Sequence, residues 1–213
     1  YAVSGRQQGE MMNTASQPLE WGAAMLAQGG QTECGDQYWF HPLPTGLVLA
    51  VVDGLGHGPK AAEAAGAAVK SLRAQADDDL VSLMQSCHQA LMGTRGAVIT
   101  LAALDVTRAA LTWLSVGNVA GMLIHANHNS HMPAREHLLL RGGVVGYRMP
   151  KLRLFNEPLL PGDTLILTTD GVRSTYADDL PLHLPPQAMA DTILDRYNRK
   201  TDDATVVVVR YKG

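Results

Sequence analysis

Residues 47–58 read LVLAVVDGLGHG: an aliphatic run without alternation, then an acid, then glycine at every second position. A run of this length is too short for a buried helix and fits a strand covered on both faces. Asp53 therefore leaves the core at a strand end, where an unpaired carboxylate costs several kcal/mol unless it meets water or a cation. Gly54, Gly56 and Gly58 let the backbone turn tightly and bring its carbonyls close to a ligand. Pro59 opens a helical run over 59–76.

The same pattern recurs at 164–171, TLILTTDG, where a second apolar strand delivers Asp170 and a glycine. A single strand-Asp-Gly is most simply a hairpin turn. Two copies, matched by acids that precede strands, call for more. Asp36 precedes the aromatic strand 37–40, and Asp202 and Asp203 precede the strand 204–211. In an antiparallel sheet the end of one strand lies beside the start of the next. Asp53, Asp170, Asp36 and either Asp202 or Asp203 are thus expected to gather on one edge. Carboxylates so placed stay ionised only with cations beside them, and carboxylate, carbonyl and water oxygens select Mg²⁺ or Mn²⁺.

The chain has 213 residues, enough for one well-buried domain, assigned to 13–213; residues 1–12, with Met11 and Met12 as candidate starts, are given no part in the fold. A net charge of -3 and the absence of any basic run argue against nucleic acid or a membrane surface as partner. No apolar stretch suits a membrane span or a signal core, so a cytoplasmic location is expected. Cys34 and Cys87 lack a CxxC spacing and are expected to be reduced thiols.

Strands are expected at 19–28, 37–40, 47–52, 97–105, 110–116, 120–125, 136–141, 153–157, 164–169 and 204–211, with helices at 59–76, 80–92 and 186–200. The segment 41–45, with two prolines, reads as a connection, and 97–125 as an antiparallel meander. Asp77–Asp79 break the first helix and cap the second, with Cys87 at the core edge and His88 facing solvent. His125, His128 and His131 recur every third residue, but the polar stretch around them reads as a solvated loop. Gly162 and Asp163 read as a hairpin-like turn.

Together, DGLGHG at 53–58, SVGNV at 115–119, TTDG at 168–171 and DDATVVVV at 202–209 resemble the PP2C-like (PPM) metal-dependent protein phosphatases, in their bacterial SpoIIE/RsbU branch. The segments ECGDQYWF at 33–40 and CHQALMGTRGA at 87–97 are similar to its short stressosome phosphatases. The resemblance implies an α+β, four-layer αββα sandwich of two antiparallel sheets flanked by helices. It also implies a metal-dependent serine/threonine phosphatase with two Mn²⁺ or Mg²⁺ ions and a metal-activated water. By the family pattern Asp53 bridges the ions, Gly54 offers its carbonyl, Asp170 and Asp202 bind one ion, and Asp36 acts through a water. Asp203 becomes a supporting residue or the alternative ligand. Gly35 and Gln31 stand where larger relatives have a second acid and a phosphate-binding arginine. Arg95 is a candidate phosphate contact and His57 a candidate acid for the leaving group. The implied partner is a phosphorylated, stressosome-type regulatory protein with a STAS-like fold.

Two other readings compete. A phosphatase-like module that binds a phosphoprotein without cleaving it would be expected to have lost an acid, yet Asp53, Asp170 and Asp202 are all present. A nucleotide-binding protein would need GxGxxG in a βαβ unit, and the spacing here is GxGxG.

Overall fold

The computed structural model describes residues 18–127 and 133–213. Residues 1–12, His128 and His131 lie outside the described residues. Ten strands and three α-helices follow in chain order: β1 (Leu19–Leu26), β2 (Asp36–Leu43), β3 (Gly46–Gly54), α1 (Pro59–Ala74), α2 (Leu80–Leu91), β4 (Ala97–Asp105), β5 (Ala110–Val116), β6 (Ala120–Ile124), β7 (Arg135–His137), β8 (Phe155–Pro158), β9 (Thr164–Thr168), α3 (Pro186–Tyr197) and β10 (Ala204–Tyr211). A 3₁₀ turn covers Ser174–Asp178. The strands form two five-stranded sheets, ordered β1-β10-β9-β6-β7 and β2-β3-β4-β5-β8. Every pairing between strands is antiparallel.

The unbroken apolar runs are explained by three stacked cores. On β3, Leu47, Leu49 and Val51 point into the core between the sheets, while Val48, Ala50 and Val52 point into the core under α1 and α2. On β10, Val207 and Val209 enter the inter-sheet core, and Val206 and Val208 the core under α3. Successive side chains leave a strand on opposite faces, so a strand sandwiched between two cores must be apolar at both parities. The result is the four-layer αββα sandwich expected from the motifs. Asp79 caps α2 by accepting from Val81 N and Ser82 N, and Pro59 opens α1. Among the described residues no helix is long and apolar enough to cross a membrane.

Several local expectations are corrected. The segment 41–43 belongs to β2, pairing Pro42 with Leu47. As β2 is an edge strand, a proline without an N–H is tolerated there. The meander is only a β4–β5 hairpin, because β6 crosses to the other sheet and pairs with β7 and β9. Cys87 is fully buried in the α1–α2 core, and His88 faces protein, its Nδ1 accepting from Gly146 N at 2.9 Å. Both cysteines are free. His125 is not in a solvated loop: it is 4% exposed, its Nδ1 is 2.9 Å from Asp163 Oδ2, and Asp163 also accepts from Ala126 N and Leu160 N. Asp163 is thus a buried hub where β6 ends and β9 begins. The expected strand 136–141 shrinks to β7, and the strand expected at 153–157 starts at Phe155.

Candidate active site

The carboxylates gather where strand ends of both sheets meet, rather than along the edge of one. In the sheet holding β3, Asp36 and Asp53 are direct register partners. Trp39 packs under α1 whereas Tyr38 and Phe40 pack between the sheets, so Asp36 shares their inward parity, as Asp53 shares that of Val51. In the other sheet, Asp170 follows β9 and Asp202 and Asp203 precede β10.

Two hydrogen-bonded links join these ends. Thr169 Oγ1 donates to Asp36 Oδ2 at 2.7 Å and itself accepts from Thr205 N at 2.8 Å. Asp203 accepts from Gln28 N through Oδ1 at 2.8 Å and from Gly35 N through Oδ2 at 2.9 Å. Asp36 and Asp203 are 1% and 3% exposed, so both are buried braces behind the site. Gly35 has no space for a side chain: a Cβ there would stand 2.7 Å from both Ala61 Cβ and Asp203 Oδ2. Packing therefore leaves no room for a second acid at this position.

In front of the braces lies a cleft of about 250 Å³ lined by Asp53, Asp170, Asp202, His57, Asn118, Thr201, Gly56, Leu55 and Val98. Asn118 Nδ2 donates to Asp170 Oδ2 at 3.0 Å. Asp202 Oδ1 accepts from Asp203 N at 2.9 Å. Arg95 lies beside the cleft residue Gly56, its guanidinium nitrogen only 2.7 Å from where a Cβ of Gly56 would be. Gly56 adopts φ 86°, and it leaves that guanidinium the space a side chain would take. Gln31 places its side-chain oxygen against Gly58 and brings no charge.

Burial, and then repulsion from Asp36, Asp170, Asp202 and Asp203, pushes the Asp53 carboxyl up to about 8. Asp36 is raised to about 7, chiefly by burial, against the pull of Thr169 and Thr205. The Thr205 hydroxyl still lacks a well-formed hydrogen bond. Asp202 is raised by burial and by Asp170 and Asp203, with the Asp203 N–H and His57 acting the other way. Among the described residues no three His, Cys, Asp or Glu side chains close around a single point. The donor chemistry nonetheless fits hard divalent cations: carboxylates repelling one another around a polar cleft, with no thiolate or imidazole cluster.

The structure brings together the acids that sequence reasoning named, and beside them Asn118, Thr169 and the close-packed Gly35, which it did not single out. Asn118 sits inside the SVGNV motif, and Thr169 immediately precedes Asp170 in TTDG, so both had a local signal. Nothing in the sequence marks Gly35 as packed against α1.

Comparisons with known proteins agree with this architecture. The family of stage II sporulation protein E (SpoIIE) matches residues 44–212. The phosphoserine phosphatase RsbX of Bacillus subtilis (strain 168) is 27% identical over 187 residues, covering 86% of this chain and 90% of RsbX. A solved structure from work on the bacterial stressosome as a modular system adapted to control secondary messenger signalling is 31% identical, with TM-score 0.82 over 91% of this chain and 100% of that one. The crystal structure of RsbX in complex with magnesium shares the fold, at 23% identity and TM-score 0.80, over 92% of this chain and 96% of that one. With a family match running from Pro44 in the β2–β3 turn through the end of β10, the protein belongs to the SpoIIE family of PP2C-like phosphatases.

Proposed function

We propose that this protein hydrolyses phosphoserine and phosphothreonine on a phosphorylated regulatory protein, with two Mn²⁺ or Mg²⁺ ions held in the cleft. The observation that carries this reading is the convergence of Asp53, Asp170 and Asp202 on one cleft at the meeting ends of two sheets. RsbX is named a phosphoserine phosphatase, which supports the substrate class. The similarity to a stressosome structure supports a partner of that system, and a STAS-like fold is the form we assign to it.

When bound, the ions supply Lewis acidity to the phosphoryl oxygens and a water acidic enough to attack near neutral pH. Asp53, the Gly54 carbonyl, Asp170 and Asp202 would hold them. Asn118 orients Asp170, while Asp36 and Asp203 keep the strand ends in register from behind. His57, on the cleft wall, stands to protonate the leaving alkoxide. Arg95, beside Gly56, is the cation we assign to the phosphate. A cysteine nucleophile is disfavoured: burial, with Asp36 and Asp203 nearby, pushes the Cys34 thiol up, and burial does the same to the fully buried Cys87.

Phosphate release from a phosphoserine or phosphothreonine peptide is expected with Mn²⁺ or Mg²⁺ and not in excess chelator. Full turnover in chelator overturns the metal mechanism, and faster turnover of phosphotyrosine peptides overturns the substrate class. Arg95→Ala is expected to raise KM for p-nitrophenyl phosphate about tenfold or more with a smaller change in kcat, since a hydrogen bond to a charged group is worth about 1.5–3 kcal/mol. An unchanged KM would assign the phosphate to another group.

A further inference from the structure

A second groove is lined by Gly142, Gly143, Val144, Tyr147, Arg148 and Pro150. Its backbone is tied to the active-site end of the sheet. Gly117 N donates to Arg141 O at 2.7 Å, one residue before the cleft residue Asn118. Ala97, the register partner of Gly54, exchanges two backbone hydrogen bonds with Val145, at 3.0 and 2.8 Å. Val145 is fully buried, and Gly146 is held against Leu91 and His88.

The outward side of this segment is unlike the rest of the surface. Tyr147 is 84% exposed, and Leu139 and Met92 are each 60% exposed. Residues 138–154, LLLRGGVVGYRMPKLRL, hold four cations and no acid in a chain of net charge -3. Arg153 stacks over Phe155, 5.2 Å from the ring centre. Among the described residues Arg141, Arg148 and Lys151 form no ion pair. Exposed large apolar side chains grouped with unpaired cations are a surface awaiting a partner. The backbone ties of this segment to Gly117 and Ala97, at the active-site ends of β5 and β4, make that partner the protein being dephosphorylated.

We infer that this groove docks the protein substrate through an acidic, leucine-bearing segment flanking the phosphorylated residue. The inference rests on the phosphatase reading above. Charge on such a rim governs encounter and partner choice more than chemistry, so a small aryl phosphate, which meets only the cleft, is indifferent to it.

The test uses fluorescence anisotropy at low ionic strength with two labelled, unphosphorylated peptides, one carrying several glutamates and a leucine, the other with glutamine for each glutamate. The wild type is expected to bind the glutamate peptide at least about fivefold more tightly, the scale of one or two screened charge pairs. Arg148→Glu with Lys151→Glu should abolish the difference while p-nitrophenyl phosphate turnover in Mn²⁺ stays within about twofold. Tyr147→Ser should weaken binding of the glutamate peptide and not of a third peptide in which serine replaces its leucine, and equal losses for both would overturn the leucine part of the inference. Equal binding of the two charge forms by the wild type, or a preference retained in the double variant, overturns the inference. So does tighter binding to phosphatidylserine vesicles than to the peptide, lost in the double variant, which would make the face a membrane surface. Aryl phosphate turnover reads the phosphatase assignment by itself; its absence would sink that assignment and leave the peptide ratio to judge the groove.

Discussion

Asp53→Asn is expected to lose Mn²⁺-dependent turnover by about a thousandfold or more, the scale of removing a group on which the reaction depends, and yet to melt at a higher temperature than the wild type in chelator. The two effects share one cause. Asp53 is pushed up to about 8, first by burial and then by repulsion from Asp36, Asp170, Asp202 and Asp203. Asparagine keeps the shape and removes the charge. One pKa unit corresponds to about 1.4 kcal/mol, so relieving even part of this strain is worth a few kcal/mol, or about 5 °C or more for a chain of this size. The check is a pair of thermal melts at pH 8 in chelator beside an aryl phosphate assay in Mn²⁺. A clearly lower melting temperature for Asp53→Asn would make the residue a structural cap instead.

The sign extends to pH. Asp53 binds its proton more tightly folded than unfolded, so its contribution is best below its ordinary value of 3.8 and worsens as pH rises from there to about 8. Asp36, raised to about 7, acts in the same direction over a narrower window. In chelator the melting temperature of the wild type should therefore fall between about pH 5 and pH 8, and less steeply in Asp53→Asn. Saturating Mn²⁺ should flatten the wild-type slope, because the ions offset the charges that the rising pH exposes. A level wild-type profile in chelator would mean that the acids are not in conflict.

The strand-acid-glycine repeats were legible because they are local: an apolar run and the residue that ends it sit together in the chain. Which sheet a strand joins is not local. Leu47–Val52 and Val206–Val209 are apolar at both parities, so periodicity could not say which residues faced the other sheet and which faced the helices. The Gly117–Asn118 turn looked like a hairpin, although there the chain changes sheets. His125 and Asp163 looked like loop and turn, because the pairing that buries them spans 38 residues. At the site the acids were visible, but the division between those on the cleft and those behind it depends on Gly35 lying against α1 and on Thr169 reaching the opposite sheet.

That division is what separates Asp202 from Asp203, which adjoin in sequence and which strand geometry alone ranks in favour of Asp203, the nearer to β10. Asp203 has both oxygens committed to backbone donors, Gln28 N and Gly35 N, and is 3% exposed. Asp202 lines the cleft with Asp53 and Asp170, and only its Oδ1 accepts from a neighbour, the N–H of Asp203. Asp202→Asn keeps an oxygen for that N–H, so the fold should be unaffected, while turnover should be lost at every Mn²⁺ concentration tried. Asp203→Asn puts an amide donor against a backbone donor in a buried position, a conflict worth about 1–3 kcal/mol. Its melting temperature should drop, and the segment from Gln28 to Asp36 should loosen. Turnover should survive at about 1–10% with a raised Mn²⁺ requirement, as for a lost supporting contact. Metal titrations of both variants, each with a thermal melt, decide the matter. Loss of turnover at all Mn²⁺ concentrations in Asp203→Asn with an unchanged melting temperature, and residual turnover in Asp202→Asn, would move the ligand one residue along the chain.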